Sequence, residues 1–171
     1  RTVVRYGPIA VKDPENYEAR AELQLAAAFS HNGLTNMGHN DCTFPVHGLE
    51  SWISGHYDTA HGAGLACLMP AWLASIGSLG DEKCLARIAR FGLEVFGVPE
   101  DGEDLQWMVR ETVDRFRTWL KRLGMPLTLR ELGVPKEDIP ELLGKIAFNA
   151  QGVLPGYVDL TREEVKKLFE S

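Results

Sequence analysis

The feature that most constrains this chain is a stripe of apolar side chains that recurs every three or four residues. The stripe consists of Leu105, Met108, Val109, Thr112, Val113, Phe116, Trp119, Leu120 and Leu123. Residues at this spacing share one face of an α-helix, so the pattern predicts an amphipathic helix with that face in a core. A second stripe consists of Leu85, Ile88, Ala89, Val95 and Phe96. Because no run of five residues alternates convincingly between apolar and polar, we predict an all-α domain.

Length and composition are those of a single soluble globular domain. A chain of 171 residues buries roughly 70% of its unfolded surface, so we treat residues 1–171 as one domain. Its apolar fraction of 44% and charged fraction of 25% are ordinary for this class. The formal charge of −6 disfavours nucleic acid and anionic membranes as partners. No apolar run approaches the roughly 18 residues that span a bilayer, so we expect no membrane partner.

The cysteines and the chain start indicate the compartment and the extent of the protein. Cys42, Cys67 and Cys84 are odd in number and form no Cys-x-x-Cys pair, and there is no signal-peptide pattern. We therefore expect free thiols in a reducing compartment, the cytoplasm. The chain begins at Arg1 with residues typical of a helix interior, so we expect it to be a piece of a longer protein.

Helix start and stop signals divide the chain. Asp13-Pro14-Glu15 predicts a helix that begins with Asp13 as its cap, and Asn32-Gly33 predicts its end. The polar residues 33–43 indicate a loop. Near the other end of the chain, Thr161-Arg162-Glu163-Glu164 is a capping box that predicts a short last helix.

Two further helices are predicted after the loop of residues 33–43. Pro45 suits the first turn of one, and Gly55 is expected to end it. Asp58 or Thr59 is then expected to cap the next helix. Pro70 should kink this helix and not end it, because apolar periodicity continues beyond the proline.

All five histidines fall within one short part of the chain, between His31 and His61. Imidazole is the commonest protein ligand of transition metals, and it titrates near neutral pH. This clustering predicts a functional site there. The cluster consists of His31, His39, His47, His56 and His61.

His47 and His61 are candidate ligands of one metal ion. Fourteen residues of continuous helix rise about 21 Å, whereas two ligands of one metal lie within about 4 Å of each other. The chain must therefore fold back between them, as a helix–turn–helix with one ligand on each arm. Glu50 lies one turn after His47 and could orient its ring. At least one more ligand is needed to complete such a site.

Two other interpretations remain open from the residues alone. His56, Asp58 and His61 form a His-x-Asp-x-x-His run, which a compact turn could gather around a metal as a small local site. Alternatively, the histidines are ordinary polar residues of loops and helix ends, and residue pattern alone favours this interpretation.

Three runs of residues carry a resemblance to a known family. They are Val46-His47-Gly48-Leu49-Glu50, residues 57–66 and Pro70-Ala71-Trp72. Together they resemble the C-terminal helical domain of the iron-containing (group III) alcohol dehydrogenases, especially the butanol-dehydrogenase-like branch. The resemblance implies a helical bundle corresponding to the C-terminal domain of a dehydroquinate-synthase-like fold.

The resemblance also implies a metal centre and a reaction. In that family an aspartate and three histidines hold one divalent metal between two domains, and the last two histidines match His47 and His61. The metal is iron, with zinc as the alternative. It polarises the oxygen of an alcohol or aldehyde while NAD(P) accepts or donates a hydride. The full-length enzyme is expected to be a homo-oligomer.

The chain departs from the family pattern at several points. The aspartate, the first histidine and the N-terminal nucleotide-binding domain would all precede Arg1 and are absent from this chain. Ser51 stands where the family commonly has a histidine, and His56 stands where an aromatic is usual, so His56 could line the pocket. We predict the metal-binding half of an alcohol dehydrogenase, inactive as this fragment and with no catalytic residue assigned. The alternative is a non-enzymatic helical remnant or assembly module.

Overall fold

A computed structural model of the chain describes residues 1–38 and 43–171, and the secondary structure of this part is helical apart from two strands of two residues each. This confirms the all-α prediction. His39 and Cys42 lie outside the described residues. The α-helices are α1 (Thr2–Lys12), α2 (Tyr17–His31), α3 (Pro45–Tyr57), α4 (His61–Leu79), α5 (Glu82–Phe91), α6 (Leu105–Arg122), α7 (Ile139–Lys145) and α8 (Arg162–Glu170).

Shorter elements connect these helices. Two 3-10 turns span Leu34–Asn36 and Lys136–Asp138. Strands β1 (Val153–Leu154) and β2 (Leu160–Thr161) form one antiparallel pair. The sequence did not predict this pair, because a strand of two residues is too short to show alternation.

Helix α4 is the central helix of the domain. It packs against α3, α5, α6 and α8, and its buried residues include Leu68, Leu73 and Ile76. By length and composition alone α4 could cross a membrane, so the expectation that no segment is long and apolar enough was wrong. Glycine and serine residues interrupt the apolar runs of α4, so no single run indicates its length. Its packing partners account for its apolar character.

The two apolar stripes form helices as predicted, with one difference. The stripe on α6 faces the core through Met108, Val109 and Val113. The other stripe begins on α5 and continues as a π-helical turn, Gly92–Phe96. A Cβ at Gly92 would lie 2.9 Å from Cβ of Thr112, so glycine permits the close approach of this turn to α6.

The predicted cap of α2 is wrong, whereas the predicted end is correct. Asp13 ends α1 instead, with φ −132° and ψ 89°, and its position before Pro14 disfavours a helical backbone there. Asn16 caps α2, and its side chain accepts a hydrogen bond from the backbone N–H of Ala19. Gly33 follows the end of α2 with a φ of 80°. The capping box at Thr161 is also confirmed.

The boundaries between α3 and α4 differ from those predicted. Pro45 begins α3, as expected, but the helix passes Gly55 and ends after Tyr57. The Tyr57 hydroxyl donates a hydrogen bond of 2.7 Å to Asp138, which holds the last turn of α3. Ala60 precedes α4 without any side-chain cap, so neither Asp58 nor Thr59 has the predicted role. Helix α4 continues through Pro70 to Leu79, as predicted.

Candidate metal centre

The turn between α3 and α4 brings distant residues together. Asp58 follows α3 with a φ of 52° and a ψ of 42°, in the left-handed region that reverses the chain. Ala60 is extended, with a ψ of 126°, and returns the chain alongside α3. As a result α4 begins at His61 beside the N-terminal half of α3.

His47 and His61 face each other across this turn. Nδ1 of His47 lies 3.0 Å from Nε2 of His61, and the ring centroids are 5.0 Å apart. Two nitrogens that each lie about 2.1 Å from one metal, at angles between square and tetrahedral, are about 3.0–3.4 Å apart. The spacing and the imidazole chemistry of this pair therefore fit two ligands of one metal ion.

Glu50 lies behind the pair and contacts His61. Its Oε2 contacts Nδ1 of His61, and its side chain is 0% exposed, whereas that of His61 is 50% exposed. We expected Glu50 to orient His47, because the two lie one turn apart on α3. The Glu50 side chain instead enters the interface with α4, where Gly64 leaves room for it.

Gly64 is a site residue that the sequence analysis missed. A Cβ at this position would lie 2.6 Å from Cγ and 2.9 Å from Cδ of Glu50, too close for either atom to remain. The sequence did contain a signal for this position. A glycine in a helix interior costs up to about 1 kcal/mol relative to alanine, so it requires a packing reason.

His56 lies apart from the pair, on the opposite side of α3. Its Nδ1 is 3.3 Å from Nζ of Lys145 on α7, and its ring packs edge-on against Tyr57. Nine residues after His47, it has turned by half a circle around the helix axis. His56 therefore lies away from the histidine pair, and its place in a substrate pocket stays a prediction.

The local turn site also fails to form. Within residues 1–38 and 43–171, no three or more His, Cys, Asp or Glu side chains gather in a way that could hold a metal ion. His56 contacts Lys145, and His61 contacts Glu50 and His47. The His-x-Asp-x-x-His alternative therefore has no structural support.

Two other side chains near the pair, Ser51 and Phe44, contact His47. The Ser51 hydroxyl donates a hydrogen bond of 2.7 Å to the backbone carbonyl of His47, one turn earlier on α3. The Phe44 ring packs edge-on against His47, with centroids 5.6 Å apart.

Burial raises the pKa of the Cys67 thiol to about 12. Cys67 and Cys84 are both buried free thiols.

The comparison with protein families agrees with this helical architecture. Residues 1–171 match the model of the Fe-containing alcohol dehydrogenase family, C-terminal. The chain belongs to the Fe-containing alcohol dehydrogenase family. This confirms the resemblance found in the sequence, and the helical fold is that of the family's C-terminal part.

Relatives in this family are dehydrogenases and reductases of greater length. The chain is 34% identical over 171 residues to NADH-dependent butanol dehydrogenase A of Clostridium acetobutylicum, covering 99% of this chain and 42% of that protein. It is 27% identical to the NADPH-dependent aldehyde reductase YqhD of Escherichia coli, covering 99% and 42%. The chain thus spans less than half the length of these members of the Fe-containing alcohol dehydrogenase family.

Solved structures of family members share the fold. The crystal structure of NADH-dependent butanol dehydrogenase A from Thermotoga maritima superposes with a TM-score of 0.84 at 31% identity, covering 99% of this chain and 42% of that one. The substrate- and cofactor-free form of the aldehyde reductase YqhD from Escherichia coli gives a TM-score of 0.82 at 26% identity, covering 99% and 43%.

Proposed function

We propose that this chain is the metal-binding half of an NAD(P)-dependent alcohol dehydrogenase that interconverts alcohols and aldehydes. The observation that carries the proposal is the 3.0 Å approach of His47 Nδ1 to His61 Nε2 across the α3–α4 turn. The names of the relatives support the reaction class, since they include butanol dehydrogenases and an aldehyde reductase.

In this proposal His47 and His61 hold a divalent metal, iron or alternatively zinc. When bound, the metal polarises the oxygen of the alcohol or aldehyde, and NAD(P) exchanges the hydride. The two imidazoles supply two ligands, and in this proposal the others come from a preceding part of the full-length enzyme, as the family resemblance implies. The half-exposed ring of His61 leaves the pair open to a second domain and to a small substrate.

Residues 1–171 act as one metal-binding domain beside an N-terminal nucleotide-binding domain, in a homo-oligomer. The buried free thiols of Cys67 and Cys84 suit a reducing compartment, and we place the enzyme in the cytoplasm.

The test uses the full-length enzyme that contains this chain. His47→Ala and His61→Ala should each lose bound metal and alcohol-dependent NAD(P) reduction together, because each removes one metal ligand. His31→Ala is the control, since His31 is exposed at the end of α2, and it should keep both. Metal analysis and initial rates on the purified variants decide the outcome. Retention of a full metal equivalent by both His47→Ala and His61→Ala would contradict the proposal.

A further inference from the structure

Glu50 is a polar side chain buried in a place where packing alone does not explain it. Its side chain is fully buried, and its Oε1 has no hydrogen-bond partner in the described part of the chain. Burial of a carboxylate with an unpaired oxygen is costly, and an apolar side chain of similar size would avoid that cost. Its other oxygen, Oε2, accepts a hydrogen bond of 3.4 Å from the Ser54 hydroxyl on the same helix and contacts His61 on α4.

We propose that Glu50 is a positioning residue that fixes the tautomer and orientation of His61, and that Gly64 provides the space this requires. The proposal rests on the proposed function, because it concerns how a metal ligand is presented. Glu50 does not touch the metal. It acts through the far nitrogen of the His61 ring.

The chemistry follows from the two nitrogens of one imidazole. A neutral histidine carries one N–H, and an ionised carboxylate can only accept a hydrogen bond. Contact with Oε2 of Glu50 therefore places the proton on Nδ1 of His61, which leaves a lone pair on Nε2. Nε2 is the atom that faces His47. A carboxylate that accepts a hydrogen bond from a histidine ligand also makes the other ring nitrogen a stronger electron-pair donor to the metal.

Gly64 allows Glu50 to reach this position. Any Cβ at residue 64 would displace Cγ and Cδ of Glu50, which lie 2.6 and 2.9 Å from where it would be. Gly62 lies in the first turn of the same helix, and a Cβ there would meet nothing within 4 Å. Gly64→Ala and Gly62→Ala are therefore a matched pair: the same substitution on α4, with and without an effect on Glu50.

The experiment measures the His61 tautomer in the 171-residue chain, and metal affinity separately in the metal-free full-length enzyme that contains it. Nitrogen-15 NMR of the imidazole side chains at pH 8 reports which nitrogen of His61 is protonated. Titration calorimetry with Zn²⁺ reports binding, and circular dichroism with urea unfolding reports the fold. The variants are Glu50→Leu, Glu50→Gln, Gly64→Ala and Gly62→Ala.

We expect the unsubstituted chain and Gly62→Ala to show His61 protonated on Nδ1. Glu50→Leu and Gly64→Ala should lose this single tautomer and weaken Zn²⁺ binding by about 10- to 100-fold. Glu50→Gln should keep the tautomer, because its amide oxygen also accepts from Nδ1, and should bind Zn²⁺ less tightly than the parent. A purely structural Glu50 would change unfolding without changing the tautomer.

Two outcomes overturn the positioning role. One is an unchanged His61 tautomer in both Glu50→Leu and Gly64→Ala; the other is equal disruption by Gly64→Ala and Gly62→Ala. Should Glu50→Leu fail to fold, Gly64→Ala and Glu50→Gln still decide the matter. If the parent binds Zn²⁺ no better than His47→Ala while the tautomer results hold, the metal assignment fails and the positioning of His61 stands.

Discussion

At the scale of single residues, His61 is held from two sides. Its Nδ1 contacts the buried carboxylate of Glu50, and its Nε2 faces Nδ1 of His47. His56 is only five residues away along the chain, yet its partner is Lys145 on α7. Position on the helix, and not proximity in sequence, decides which histidines act together.

A substitution at His56 tests this separation. His56→Ala in the full-length enzyme should leave metal content unchanged, because the His56 ring lies against α7 and not beside His61. Metal analysis of purified His56→Ala, compared with that of His47→Ala, checks this prediction. Loss of metal from His56→Ala, with retention by His47→Ala, would favour the local turn site over the pair of His47 and His61.

At the scale of elements, the α3–α4 turn depends on a contact with α7. The half-buried Tyr57 ends α3 and donates a hydrogen bond of 2.7 Å to Asp138, just before α7. On α7 itself, Lys145 pairs with Glu141 at 2.8 Å, which lowers the pKa of the Glu141 carboxyl. The hydrogen bond between Tyr57 and Asp138 fixes the end of α3, and with it the start of the chain segment that leads to His61.

Removal of the Tyr57 hydroxyl should weaken this anchor. Tyr57→Phe is expected to lower the free energy of unfolding by about 1 kcal/mol at pH 7, the usual value of one hydrogen bond. Urea unfolding measures the change. Tyr17→Phe is the matched control, because Tyr17 is 85% exposed, and it should unfold like the parent. Equal stability of Tyr57→Phe and Tyr17→Phe would show that the contact contributes nothing.

The same residue gives a prediction for pH dependence. Burial, followed by the hydrogen bond to Asp138, raises the pKa of Tyr57 from 10.0 to about 12. Because the folded state favours the neutral phenol, the contribution of Tyr57 to the free energy of unfolding is complete below pH 10 and declines as pH rises towards 12. The stability difference between the parent and Tyr57→Phe should therefore shrink over this range. A difference that grows with pH would contradict the assigned environment of Tyr57.

At the scale of the whole molecule, α4 connects the site to the core. Its first residue is His61, and its following turns pack against α3, α5, α6 and α8. The position of His61 is thus set by a helix that packs against four others. His47, in contrast, lies near the start of α3, close to exposed apolar side chains such as Phe44.

The isolated domain should hold metal weakly and catalyse nothing. Two imidazoles leave most coordination positions of a metal to water, and the chain spans only 42% of the length of the butanol dehydrogenase it resembles. After dialysis against Fe²⁺ or Zn²⁺, the 171 residues should retain less than one equivalent. No butanol-dependent reduction of NAD or NADP should be measurable. A tightly held equivalent that survives a chelator, or turnover by this chain free of contaminants, would contradict the prediction.

The helical class, and the need for a turn if His47 and His61 are to meet, follow from the order of residues along the chain. Apolar spacing on α5 and α6 predicted the class, because helical periodicity is a local property that residues three and four apart express directly. The spacing of His47 and His61 required a turn between them. The family motifs then selected the pair from competing interpretations.

The support of this pair depends on how the helices pack. That Glu50 contacts His61 and not His47 depends on the side of α3 that packs against α4, and on the space left at Gly64. The end of α3 likewise depends on Asp138, which lies 81 residues after Tyr57. Local signals at Gly55 and Asp13 gave wrong helix boundaries, because contacts between distant residues and the proline after Asp13 outweighed them. Periodicity and spacing act locally along the chain, whereas the partner of a buried carboxylate is set by the packing of one helix on another.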